Sequence, residues 1–208
     1  MKKYSYLALG DSYTIGESVA PGDNFPSQTT VLLNKRTEGL NKKYHFDEPL
    51  IIAKTGWTTD ELDVAIDAAA ISTTFDIVSL LIGVNNQYRG RSVNEYKTQF
   101  DHLLQRAIHF AANTTALVFV LSIPDWGVTP FAEGQDRHSI ATAIDNFNAT
   151  AMEICEQHQI IFIDITTAQR ADGNKLEYLA ADQLHPSGKE YAKWAVQLSA
   201  AIKKGIMV

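Results

Sequence analysis

Short apolar runs of strand length alternate along the whole chain with longer stretches of helical spacing. That alternation limits the fold more than any other feature. The runs lie at 4–9, 49–54, 75–82, 116–122 and 160–163, and the helical stretches at 27–39, 59–70, 92–112, 137–158 and 187–203. Strands joined through helices cannot form hairpins. The order predicts a five-stranded parallel sheet with helices on both faces. The run 75–82 is apolar on both parities, as a central strand buried on two sides requires. With no linker, repeat or low-complexity tract, residues 1–208 read as one domain.

Three helix starts carry the capping-box pattern: Thr58-x-x-Glu61, Ser92-x-x-Glu95 and Ser187-x-x-Glu190. Each falls where the strand–helix order needs a helix to begin, and so marks where a loop ends. In parallel α/β sheets ligands collect beyond the carboxyl ends of the strands, so these loops hold the expected site. The first carries Gly10-Asp11-Ser12, the second Thr55-Gly56-Trp57 and the third Gly83-Val84-Asn85-Asn86-Gln87. The segment before the last helix carries Asp182-Gln183-Leu184-His185-Pro186.

These residue types suit acyl transfer. A serine hydroxyl attacks only when a base removes its proton. His185 is the candidate base, and Asp182 the group that fixes its tautomer and stabilises the imidazolium. The oxyanion needs donors, for which the backbone N–H groups of Ser12 and Gly56 and the side-chain amide of Asn85 are candidates. A glycine at 56 leaves room for substrate to approach. The Gly-x-Ser-x-Gly elbow of α/β-hydrolases is not matched, because Ser12 is followed by Tyr13-Thr14.

Taken in order, Gly10-Asp11-Ser12, Gly56, Gly83-x-Asn85 and Asp182-x-x-His185 resemble the four blocks of the SGNH hydrolases, also called GDSL esterases and lipases. The resemblance spans residues 7–188. It implies a flavodoxin-like three-layer α/β/α fold and hydrolysis of an ester or thioester without metal or cofactor. By the same resemblance Ser12 is the nucleophile, Gly56 and Asn85 are oxyanion donors, and Asp182 and His185 complete the triad. Two positions depart from the common pattern. Asn86 stands where many members carry Asp, and bulky Trp57 follows the glycine; either could alter the acyl pocket. The alternatives are a ligand-binding protein on the same fold without turnover, and a phosphoacceptor-like protein working through Asp11.

Other residues have plainer readings. Asp11 reads as a turn former whose carboxylate binds backbone N–H groups. His138, in Asp136-Arg137-His138, is the rival base but reads as a polar helix start; His45 and His158 lack an acid-plus-serine context, and His102 and His109, seven apart in a helical stretch, read as solvated or packed. Trp57, Trp126 and Phe131 either line a substrate pocket or fold back onto the core. Arg89 and Arg91, after Tyr88, either bind an anionic group or form surface ion pairs. The one cysteine, Cys155, reads as a buried structural thiol. A net charge of −6 without a basic stripe argues against nucleic acid as a partner. No run approaches the ~20 apolar residues of a membrane span. After Met1-Lys2-Lys3 the apolar run is too short for a signal peptide, which reads as a cytoplasmic protein unless a leader was removed before residue 1.

Overall fold

The computed structural model describes residues 2–35 and 44–206. Five parallel strands form the main sheet: β2 (Tyr6–Asp11), β4 (Leu50–Lys54), β5 (Ile77–Leu81), β6 (Val118–Leu121) and β7 (Ile161–Ile163). Their order across the sheet is β4-β2-β5-β6-β7. The first strand of the chain to enter this sheet is therefore internal, with the second on one side and the third on the other. Chain direction across the sheet reverses beside β2, which makes its carboxyl end the switch point where such sheets bind ligands.

All six residues of β2 are buried, so it reads as a continuous apolar run rather than an alternating one. Its register runs Leu7↔Leu50 to Asp11↔Lys54 on one side and Tyr6↔Ile77 to Gly10↔Leu81 on the other. The Tyr6 hydroxyl is buried but satisfied by the Ser79 hydroxyl on β5, 2.7 Å away.

The expected first strand is split. Ser5 donates its N–H and hydroxyl to the Asp76 carboxylate, at 2.8 and 2.9 Å, and this polar anchor interrupts the run. The part before it, β1 (Lys2–Tyr4), pairs in parallel with a strand absent from the sequence reading, β3 (Tyr44–Phe46). Tyr4 stacks on Phe46 across that pair, ring centres 5.0 Å apart.

Helices cover the sheet. α2 (Phe25–Asn34) and α8 (Gly188–Ile206) pack together. α3 (Thr59–Ala68), α5 (Val93–Phe110) and α6 (Arg137–Gln157) pack in succession. By the right-handed rule for parallel crossovers, this strand order puts the two groups on opposite faces. On α8 the buried residues Tyr191, Trp194, Ala195, Leu198 and Ile202 recur at helical spacing, each large one worth roughly 1.5–3 kcal/mol of burial. Short helices missed by the sequence reading follow three strands: α1 (Ser12–Ile15), α4 (Val84–Tyr88) and α7 (Thr166–Asp172).

The long helices lie close to their expected spans. The helix expected at 27–39 begins earlier, with Asn24 accepting the Ser27 N–H, and ends at Asn34, capped by the Lys35 N–H on the Val31 carbonyl; positions 36–39 lie outside the described residues. The capping boxes differ in outcome. At Thr58 the Glu61 carboxylate accepts the backbone N–H at 2.9 Å. At Ser92 the hydroxyl accepts the Glu95 N–H, but Glu95 turns to Arg91. At Ser187 no box forms. Its hydroxyl donates to the Glu177 carbonyl, and Glu190 is buried where it accepts from the Trp194 indole.

Candidate active site

The turn that carries Ser12, the candidate nucleophile, is built from the end of β2. Asp11 caps α1, its carboxylate accepting the Tyr13 N–H at 3.0 Å, and Ser12 opens the helix. As the first helical residue, Ser12 has a backbone N–H with no intrahelical acceptor. Gly10 is required by crowding. A Cβ there would lie 2.1 Å from the Thr14 hydroxyl and 2.4 Å from the Leu81 carbonyl.

Burial shapes Asp11 further. It is fully enclosed, and one carboxylate oxygen, Oδ2, has no hydrogen-bond partner among the described residues. Burial raises its pKa to about 7, with the Tyr13 N–H opposing only in part. The sequence marks Asp11 as a turn former but carries no signal of this enclosure.

The segment with the candidate acid and base, Asp182 and His185, precedes α8. Asp182 Oδ1 accepts the N–H groups of Leu184 (3.0 Å) and His185 (2.9 Å), folding the loop back on itself. Gln183 takes the left-handed conformation this requires, φ +57°. Asp182 Oδ2 accepts from His185 Nδ1 at 2.7 Å and from the Ser18 hydroxyl at 2.8 Å. Partial burial works against the carboxylate's charge, but these four donors outweigh it and hold its pKa at about 2. With Nδ1 donating to an ionised carboxylate, His185 Nε2 is left as the acceptor nitrogen. The imidazole is buried and packs against Tyr13, ring centres 5.1 Å apart.

Two more loops complete the rim. Gly56 has φ +85°, a conformation that favours glycine, and among the described residues a Cβ there would meet only Arg89 Nη2, at 3.6 Å. The backbone conformation, more than crowding, therefore calls for glycine at 56. Asn85, on α4 after β5, donates one Nδ2–H to the Trp57 carbonyl at 3.0 Å. That bond fixes the amide and leaves its second proton available.

The structure brings Ser12, Gly56, Asn85 and His185 to one cleft of about 170 Å³, with Asp182 behind His185. Ser12 Oγ and His185 Nε2 make no hydrogen bond among the described residues; such bonds commonly tighten only when substrate is bound. Val84, Tyr88, Trp126, Phe131 and Leu184 form apolar walls. His138 is exposed at the start of α6, away from the cleft lining.

The aromatic candidates divide. Trp126 and Phe131 line the cleft, whereas Trp57 packs partly buried against the core and offers its carbonyl to Asn85. Neither departure from the family pattern reaches the cleft. Asn86 is fully buried and pins α4 to α3, accepting the Thr59 N–H (3.1 Å) and donating to the Thr59 hydroxyl (2.7 Å). Arg89 is engaged by the Gly56 carbonyl (2.6 Å) and Glu61 (3.3 Å), and Arg91 by Asp60 (2.6 Å) and Glu95 (3.3 Å). Cys155 is buried in α6, which pushes its thiol up to about 12.

The residues that fix the aromatic wall escaped the sequence reading. Buried Asp125 accepts the Gly127 N–H and an Arg170 Nε–H, both at 2.8 Å. Arg170 also reaches Asp145 at 2.8 Å, and Arg137 donates to the Gly127 carbonyl. Trp126 Nε1 donates to Gln87 at 2.7 Å, and the indole meets Tyr88 edge-on at 5.2 Å. The acids and arginines involved are 45 or fewer residues apart in sequence but share no motif.

Comparison with known proteins agrees with this architecture. The sequence matches the GDSL-like Lipase/Acylhydrolase family over residues 8–193. The chain belongs to that family, and so to the hydrolases that act on esters. No curated protein matches the sequence. Among solved structures, the lipase/acylhydrolase from Enterococcus faecalis is 20% identical with a TM-score of 0.66, over 98% of this chain and 96% of that one. The psychrotrophic esterase EstA from Pseudoalteromonas sp. is 16% identical with a TM-score of 0.69, over 99% and 100%. The acetylxylan esterase Axe2 from Geobacillus stearothermophilus is 19% identical with a TM-score of 0.65, over 99% and 94%. At these identities the likeness is one of fold. Among the described residues no helix is long and apolar enough to cross a membrane.

Proposed function

We propose that the protein hydrolyses small esters or thioesters through a Ser12–His185–Asp182 triad. The observation that carries this reading is the 2.7 Å bond from His185 Nδ1 to Asp182, on an imidazole that shares a cleft with Ser12, Gly56 and Asn85. Ser12 Oγ attacks the acyl carbonyl while His185 Nε2 takes its proton. Asp182, ionised at neutral pH, stabilises the imidazolium that forms. The tetrahedral oxyanion lies against the N–H groups of Ser12 and Gly56 and the free amide proton of Asn85. Collapse of the intermediate transfers the proton from His185 to the leaving alcohol or thiol. Water then attacks the acyl-enzyme by the same route, with His185 again as base, and releases the acid and Ser12. The chemistry needs no metal or cofactor.

The apolar walls suit the acyl or leaving group of an uncharged ester. Tyr88 and Phe131 are 54% and 43% exposed, so substrate meets them from solvent. Ser12→Ala tests the mechanism on an aryl ester: the fold persists and kcat falls by about three orders of magnitude or more. Full activity in that variant would overturn it. A fluorophosphonate probe separates turnover from mere binding, since a binding protein on this fold would not label at Ser12. The related esterase EstA is described as inhibited by monoethylphosphonate, which supports the choice of probe.

A further inference from the structure

We propose that Glu17 and Ser18, immediately after the nucleophile helix, are positioning residues that clasp two other site loops to Ser12. The inference rests on the triad reading above. The N–H groups of Gly16 and Glu17 both donate to the Ser12 carbonyl, at 3.1 and 3.0 Å, so this short segment is tied to the nucleophile. From it two side chains reach different loops. The Ser18 hydroxyl donates to Asp182 Oδ2 at 2.8 Å, across 164 residues of sequence. That oxygen is the one that also receives His185 Nδ1. The Glu17 carboxylate accepts the hydroxyl of Thr55, the neighbour of Gly56.

The backbone at Ser18 adds an independent sign. Its φ is +63°, in the left-handed region that serine seldom occupies. Such a conformation persists where surrounding contacts over-determine it, and strained residues of this kind cluster at functional sites. Here the conformation directs the hydroxyl to the triad acid. A continuous path of bonds then runs from the Ser12 carbonyl through the clasp to Asp182 and His185 on one side, and to Thr55 and the Gly56 loop on the other. The clasp sets where base and oxyanion donors stand relative to Ser12 Oγ. Misplacement of reacting groups by about 1 Å can cost roughly 10²-fold in rate.

The test measures kcat, KM and thermal midpoint for the full chain on a p-nitrophenyl ester, with Ser12→Ala as reference. Glycine adopts φ +63° freely, so Ser18→Gly keeps or raises the thermal midpoint. The same variant lowers kcat about tenfold with KM little changed. Glu17→Ala lowers kcat to a similar extent, and Glu17→Gln, which retains an acceptor for Thr55, restores most of the loss. Loss of kcat in Ser18→Gly without loss of stability is the signature that a merely structural residue would not give. Wild-type kcat in Ser18→Gly overturns the clasp, as does a kcat that falls only in step with the thermal midpoint. Full activity in Ser12→Ala instead removes the triad reading, and the clasp with it.

Discussion

Replacing Asp11 by asparagine changes how stability depends on pH, and the enclosure of this carboxyl sets the size of the effect. The folded protein binds a proton on Asp11 with a pKa of about 7, against an ordinary 3.8. Between those two values the folded chain holds a proton that the unfolded chain has released, so unfolding releases it and stability falls as pH rises. Above about pH 7 the loss is complete and the curve levels. At about 1.4 kcal/mol per tenfold change in proton affinity, the displacement corresponds to a ceiling of about 4 kcal/mol. Asparagine keeps an oxygen for the Tyr13 N–H and places a neutral group at the unpartnered position, much as the protonated acid does. Static differences between the two proteins cancel when the comparison is made across pH. The assay is urea unfolding of wild type and Asp11→Asn at steps from pH 4 to 8. The variant gains on wild type by up to about 4 kcal/mol over that range, and half of that is readily resolved. Stability curves that run parallel from pH 4 to 8 would refute the reasoning. Esterase activity measured on the same samples bears on a phosphoacceptor role: activity lost in Asp11→Asn yet kept in Ser12→Ala would assign the chemistry to the carboxylate.

Three other outcomes follow from the geometry. Asn85→Ala removes the proposed side-chain oxyanion donor and lowers kcat by roughly 10²–10³, with the KM for an aryl ester changed far less; an equal loss for both would reassign Asn85 to ground-state binding. Arg170→Ala strands the buried Asp125 carboxylate and destabilises the fold by about 3 kcal/mol in urea unfolding, a loss absent if solvent already screens the pair. Phe131→Ala opens one apolar wall, so KM rises for esters with large apolar groups and not for acetates, and a uniform change across a chain-length series would contradict its place in the cleft.

Much of this molecule was legible in its sequence because strong local signals agreed with global ones. The five strands of the main sheet follow from apolar runs, and the run at 75–82 contains β5, buried throughout. The position of the candidate site was legible for a related reason. Parallel strands deliver their carboxyl ends to one rim, so Ser12, Gly56 and Asn85 needed only to follow successive strands. Where reading failed, local sequence was not what decided. β3 forms because β1 offers it a partner, and its own three residues carry no period. The Ser187 pattern fails as a capping box because Glu190 finds the Trp194 indole, a contact that α8 makes within the core. Trp57 and Asn86 looked like pocket residues by adjacency to the site. Each turns its side chain to the α3 side or the core, a choice set by packing one layer away. The enclosure of Asp11 and the Asp125–Arg170 pair belong to the same category, since burial of a charged group depends on elements distant in the chain.

The proposed base, His185, stands just before α8, and this placement links chemistry to folding. That helix packs on α2, with Gln28 bonded to the Gly188 carbonyl at 2.9 Å and Trp194 lying between Tyr13 and Phe25. Ser12, by contrast, enters the sheet with the earliest segment of the chain. In a refolding experiment, then, the sheet can assemble while ester cleavage is still silent. Turnover would report the closing of the chain's two distant ends upon each other, and its recovery would keep pace with burial of Trp194 rather than with the appearance of helical circular dichroism.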